Sequence, residues 1–142
     1  MKIREYQEAD RPFLRTLYLA SRQTAFSWLN QENFQLEDFD KAVLGEKILV
    51  AVEDGIRLGF ASVFREENFL HNLFVDPSSQ GLGVGKLLLQ AVQRELTATG
   101  ALKCLVRNQR ALAFYQQNGW QKIATGKGED GEYILMHWVK PN

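Results

Sequence analysis

Cysteine is almost missing from this chain. The lone Cys104 excludes an internal disulfide and any zinc site built on several thiolates. It lies in the apolar run Ala101–Val106, where a free thiol packs as a small hydrophobe, so it reads as a buried strand residue and not as a nucleophile. Charge of one sign is missing too. Lys and Arg total 17, Asp and Glu total 17, and basic residues gather no further than pairs. No global field draws in nucleic acid or an anionic membrane, and no aromatic–basic RNA signature is present. No run of about 18 apolar residues occurs, and the opening Met1–Tyr6 lacks the apolar core of a signal peptide, so the expectation is a cytoplasmic protein without a membrane partner. No repeat, low-complexity tract or Pro/Gly/Ser linker divides the sequence, which is expected to form one domain over residues 1–142.

What is present is an ordinary globular mixture, 45% hydrophobic and 24% charged over 142 residues, enough for one proper core. Residues 2–6 suggest a short strand. Asp10 and Pro12 open a helix with Phe13, Leu14, Leu17, Tyr18 and Ser21 on one face. Residues 23–45 read as a second helical or irregular region ended by Gly45. Strands over 47–53 and 57–64 are joined by an Asp54-Gly55 turn, and a third runs over 68–75. From Val84 the apolar period lengthens: Val84, Leu87, Leu88, Ala91, Val92 and Leu96 mark an amphipathic helix reaching toward Gly100. A strand over 101–106, a short helix stopped by Gly119 and a closing hairpin around 128–131 complete the pattern. Strand 68–75, helix 84–99 and strand 101–106 form a right-handed β-α-β unit with parallel strands, while the other connections are antiparallel. The fold class is α+β, or loosely α/β: a mixed, mostly antiparallel central sheet flanked by helices.

The richest signal is Gln80-Gly-Leu-Gly-Val-Gly-Lys86, between a strand and a helix. Gly81, Gly83 and Gly85 let the backbone turn tightly and approach a ligand. Free amides at the helix start and the helix dipole favour an anion, and Lys86 adds a full charge. A Walker loop fails, because Gln80 stands where its first Gly is needed and Leu87 where its hydroxyl is needed. A dinucleotide fingerprint fails as well, its third Gly falling on Lys86 or Leu88.

Gln80-x-x-Gly83-x-Gly85 does fit the pyrophosphate turn of the GNAT superfamily of N-acetyltransferases, which this chain resembles over nearly its whole length. Leu73-Phe-Val-Asp-Pro77 precedes the turn as in that family. Asn108-x-x-Ala111-x-x-Phe114-Tyr115-x-x-x-Gly119-Trp120 is similar to its second signature. The resemblance implies acetyl-CoA as acyl donor, held by Gln80, Gly81, Leu82, Gly83, Val84, Gly85 and Lys86 at its pyrophosphate. Its pantetheine arm would lie along Leu73, Phe74 and Val75, in a slot between splayed parallel strands. Asn108 and Phe114 would also meet the cofactor, Asn108 doubling as a helix N-cap.

Tyr115 is implied as the general acid that protonates the departing thiolate, a phenol of pKa about 10 serving a thiol of about 8.5. Some family members carry a Glu base eleven residues before the motif's Gln; here that residue is Phe69. His71, two residues on and on the same strand face, is the candidate replacement, and Asn72, on the opposite face, would orient substrate or water. His137 is expected to be structural. The acceptor would be a primary amine of a small molecule or peptide. Trp28, Phe34, Phe39 and Asp40 in the 23–45 region are candidates for binding it, Asn30 and Asp38 accompanying them. A homodimer is possible by family resemblance. The alternative reading is a coenzyme A-binding sensor without turnover.

Overall fold

A computed structural model describes residues 1–141, the side chain of Ala25 excepted. Its strands are β1 (Lys2–Glu5), β2 (Lys47–Glu53), β3 (Ile56–Phe64), β4 (Phe69–Val75), β5 (Thr99–Leu105), β6 (Gln121–Gly128) and β7 (Gly131–Val139). The helices are α1 (Arg11–Ala25), α2 (Asp38–Ala42), α3 (Val84–Glu95) and α4 (Gln109–Gln117). The strands form a seven-stranded sheet in the order β1-β2-β3-β4-β5-β7-β6. The pair β4–β5 is parallel and every other pair is antiparallel. The mixed sheet expected from the spacing is therefore present.

Helices cover both faces. Leu49, Ala51, Ala61 and Val63 point toward α3, against Leu88, Leu89 and Val92. Val50 and Phe60 point the other way, onto Leu14 and Leu17 of α1 and Phe39 of α2. Strand side chains alternate between faces, so burial on both sides explains why Ile48–Val52 is apolar without alternation. The Asp54-Gly55 turn has φ of 51° and 77°, positive at both residues as a tight two-residue hairpin requires.

The region 23–45 is mainly irregular, one of the two forms expected of it: α1 runs on to Ala25, turns follow, and α2 has only five residues. Two expectations need correcting, both in α3. In α3, Leu87 is 38% exposed and Leu89 is buried in its stead. The helix also stops at Glu95 instead of reaching Gly100. Asn68 takes the backbone of Thr97 into hydrogen bonds, donating to its carbonyl (2.7 Å) and accepting from its N–H (3.1 Å). That contact draws the chain out of the helix, and Gly100 lies inside β5, where a Cβ would stand 2.4 Å from Leu96 Cδ1.

Asp10 fastens the first helix to the sheet. Fully buried, it accepts hydrogen bonds from Arg4 (2.8 and 2.9 Å), Arg57 (2.7 Å) and the Gln7 N–H (2.8 Å). Arg4 above all holds its carboxyl far below the usual range, against the opposing effect of burial. Replacing Asp10 by Asn leaves two guanidinium groups on a neutral amide and should cost about 3 kcal/mol at neutral pH. A depressed folded pKa means that this contribution is complete above the unfolded carboxylate pKa of about 4, and drains as pH falls toward the folded value. Urea melts of the two proteins should converge progressively below about pH 4; a gap unchanged from pH 7 to pH 3 would contradict the assignment.

Candidate active site

The parallel strands β4 and β5 touch at one register pair only, Phe69 opposite Ala101, with the Ala101 N–H donating to the Asn68 carbonyl at 2.9 Å. Beyond it they part. A β-bulge accompanies the split: Ser62 of β3 faces Asn72 while its neighbour Val63 faces Leu70, leaving His71 as the extra residue. Bulges bend a strand and re-aim its side chains. The opening is a cleft of about 260 Å³, walled by His71, Asn72, Leu73 and Phe74 on one side and Cys104 and Leu105 on the other.

The bulge corrects the expected geometry of two residues. Strict alternation sends His71 and Asn72 to opposite faces; instead Asn72 Nδ2 lies 3.4 Å from His71 Nδ1 and donates to the Ser62 hydroxyl at 2.8 Å. Asn72 is thus buried and already engaged. His71 Nδ1 sits 2.7 Å from Glu46 Oε2, and that contact raises the imidazole pKa above its ordinary value, against the opposing effect of burial.

α4 closes the cleft from one end. Asn108 is its N-cap, its Oδ1 accepting the Ala111 N–H at 3.3 Å, and it lines the cleft beside Ala111 and Tyr115. The Tyr115 ring packs against Phe114 (5.3 Å) and Trp120 (6.2 Å). Its hydroxyl has no hydrogen-bond partner among the described residues. Burial, then the nearby Cys104 thiol, raises the phenol well above its usual pKa, so it holds its proton through the physiological range. Burial also pushes the Cys104 thiol up to about 11.

The glycine turn lies outside the cleft's lining, beside Phe114 of α4 and Val75 at the end of β4. Gly81 (φ 82°) and Gly83 (φ 84°) adopt left-handed backbone, which side-chained residues rarely tolerate. Gly83 caps α3, and the first main-chain bond onto the helix is Leu87 N–H to the Gly83 carbonyl at 3.1 Å. The amides from Gly81 to Lys86 find no main-chain acceptor among the described residues, an arrangement that suits an anion. At Gly85 a Cβ would stand 3.4 Å from Phe114 Cζ and 3.7 Å from Val75 Cγ2, ordinary contact distances, so the turn lies beside both α4 and β4 but glycine is not required there.

The residues assigned to the acceptor side fare unevenly. Phe39 is wholly buried, edge-on to Phe60 at 5.4 Å, and cannot meet a substrate. Asp40 is claimed by Arg11 at 2.7 Å and by Arg15, and Asp38 by Arg22 at 3.2 Å, so neither is a free carboxylate for a cation. Phe34 lies under the Arg22 guanidinium (4.1 Å) and Trp28 under that of Arg107 (5.1 Å). Neither lines the cleft. The cleft is lined instead by Tyr18, Arg22 and Phe26 from α1 and its end, together with Lys103 and Asp130. Tyr18, Arg22 and Phe26 are spaced i, i+4, i+8, a stripe that the helical period contains; Asp130, in a hairpin turn, carries no such signal.

A split parallel pair, a glycine-capped helix start near it and a half-buried phenol lining the gap are the features of an acyltransferase fold. Residues 45–122 match the acetyltransferase (GNAT) domain, and the chain belongs to that family of N-acetyltransferases. It is 32% identical over 125 residues to the peptidyl-lysine N-acetyltransferase YiaC of Escherichia coli, covering 85% of this chain and 84% of that one. Its fold matches the apo form of YjaB from Escherichia coli with a TM-score of 0.79 at 20% identity, over 99% of this chain and 98% of that one. It also matches yncA from Salmonella typhimurium, solved with acetyl-CoA, with a TM-score of 0.73 at 20% identity, over 100% and 95%.

With a pKa of about 11, Cys104 should be a poor nucleophile. Its alkylation by iodoacetamide at pH 7.5 should run on the order of 10²-fold slower than that of a free thiol of pKa about 8.5, by mass spectrometry. Labelling at the free-thiol rate would contradict this environment.

Proposed function

We propose that this protein moves the acetyl group of acetyl-CoA directly onto a primary amine, with a lysine side chain of a peptide or protein as the favoured acceptor. The observation that carries the reading is the unpartnered Tyr115 hydroxyl in the cleft between the parted strands. The kinship to a peptidyl-lysine N-acetyltransferase supports the choice of acceptor.

The residues present fit the donor. The unmatched amides of Gly81–Lys86 would take its pyrophosphate, with Gln80 and the Lys86 charge beside them, and Leu82 and Val84 serving through their backbone. The main chain of Leu73, Phe74 and Val75 would hold the pantetheine arm, with Asn108 and Phe114 near its path. Acetyl-CoA, when bound, supplies a thioester that a neutral amine can open without an acyl-enzyme.

The remaining steps belong to side chains of this chain. Tyr115 keeps its proton until the carbon–sulfur bond breaks and then gives it to the sulfur. His71, its basicity raised by Glu46, takes the proton that the amine sheds as its nitrogen bonds to the carbonyl carbon. Cys104 stays a protonated wall residue. Arg22, Lys103 and Asp130 give the acceptor side mixed charge, and one ammonium-bearing side chain meets Asp130 first as an open carboxylate.

Tyr115→Phe should lower kcat by roughly 10²–10⁴-fold while changing acetyl-CoA affinity less than about threefold. Gly83→Val should do the reverse in kind, abolishing calorimetric acetyl-CoA binding because a β-branched residue is strained at φ 84°. A Tyr115→Phe enzyme with unchanged kcat on lysine peptides would remove the phenol from the mechanism.

A further inference from the structure

Glu46 lies in the connection between α2 and β2, outside every motif that marks the family resemblance. Its side chain is only 6% exposed. One carboxylate oxygen, Oε2, is 2.7 Å from His71 Nδ1, and the other, Oε1, is buried with no hydrogen-bond partner. The adjacent cation does not serve it: Lys47 turns to Glu5 (3.0 Å) and Glu95 (2.6 Å). A buried carboxylate with one ligand is a poor structural element, since desolvation outweighs a single contact unless the partner is charged or strongly polarised. The partner here is the half-exposed imidazole that projects into the cleft from the bulge in β4.

We propose that Glu46 is a positioning residue for amine deprotonation: it fixes His71 with Nδ1–H turned inward, so that Nε2 is the nitrogen offered to the acceptor. The inference rests on reading His71 as the base. Nδ1 faces the Glu46 carboxylate at 2.7 Å, which accepts the Nδ1–H, while the Asn72 amide, a donor 3.4 Å away, is spent on the Ser62 hydroxyl and does not compete for that proton. Nε2 then carries the lone pair. When the amine nitrogen bonds to the acyl carbon, its N–H proton passes to Nε2 and the imidazolium is held by the carboxylate; no proton moves to Glu46 itself. The exposed side of the ring releases that proton to water afterwards.

A lysine ammonium of pKa about 10.4 loses its proton to an imidazole of about 6.5 only uphill, and a carboxylate at Nδ1 narrows the difference. Other groups face the ring from each packed element. α1 brings Tyr18 and Arg22, the latter already paired with Asp38; α2 brings the Ala42 carbonyl, which acts in the same direction as Glu46 and after it. β5 brings Lys103 and Cys104, α4 brings Tyr115, the β6–β7 turn brings Asp130, and β3 offers only the Ser62 hydroxyl through Asn72. Glu46 is the one charged group in direct contact.

The test is nitrogen-15 NMR of the free protein combined with pH–rate profiles. With two histidines in the chain, His71→Gln assigns the spectrum. In the wild type the neutral His71 ring should be the Nδ1–H tautomer and titrate above the usual value. In Glu46→Gln its pKa should fall, the tautomer should mix, and the acid limb of kcat/KM should shift down in step with it while the plateau drops by about tenfold. Glu46→Asp, which keeps the charge but shortens the reach, should lie between, and it decides the matter together with the wild-type tautomer if Glu46→Gln folds poorly. A wild-type Nε2–H tautomer, or an acid limb unmoved by loss of the carboxylate while His71→Gln is inactive, overturns the role of Glu46 and leaves His71 as base. Full kcat in His71→Gln overturns the base itself.

Discussion

The site depends on two strand edges left unpaired in the middle of a sheet. Main-chain N–H and C=O groups are hydrogen-bonded almost everywhere in proteins, and a parted pair is tolerated only where water or a ligand can reach it. Here β4 and β5 meet at Phe69 and Ala101 and then diverge. The bulge at His71 bends one wall, Asn68 pins the crotch by holding Thr97, and β7 ties the other wall through a full antiparallel ladder with β5. The gap is therefore framed by rigid, well-paired neighbours, which keeps it open without loosening the sheet.

Much of this was legible beforehand. The period change at Val84, the Asp54-Gly55 turn and the glycine spacing of 80–86 are local signals with local causes, and the structure agrees with them element by element. The glycine turn could be read because its requirement, left-handed backbone at Gly81 and Gly83, is written in residue type. The α4 start was legible for the same reason, since Asn108 is a strong capping residue.

What stayed hidden was what depends on register and on distant partners. A bulge carries no residue signature, so the relation of His71 to Asn72 followed simple alternation and was wrong. Nothing near Glu46 in the sequence points to an imidazole 25 residues away. The aromatics and acids of the 26–40 segment look exposed in sequence, yet Phe39 fills the core beside Phe60, and Asp38 and Asp40 answer arginines of α1. Composition suggested a cation-binding surface; long-range ion pairing had already used those charges.

The contact between Gly85 and Phe114 has a further meaning. Phe114 and Tyr115 are consecutive on one nine-residue helix, the first seated on the glycine turn and the second in the gap between the strands. On the proposed reading, donor grip and proton delivery are therefore neighbours along one short helix, and a substitution that shifts α4 would act on both properties together.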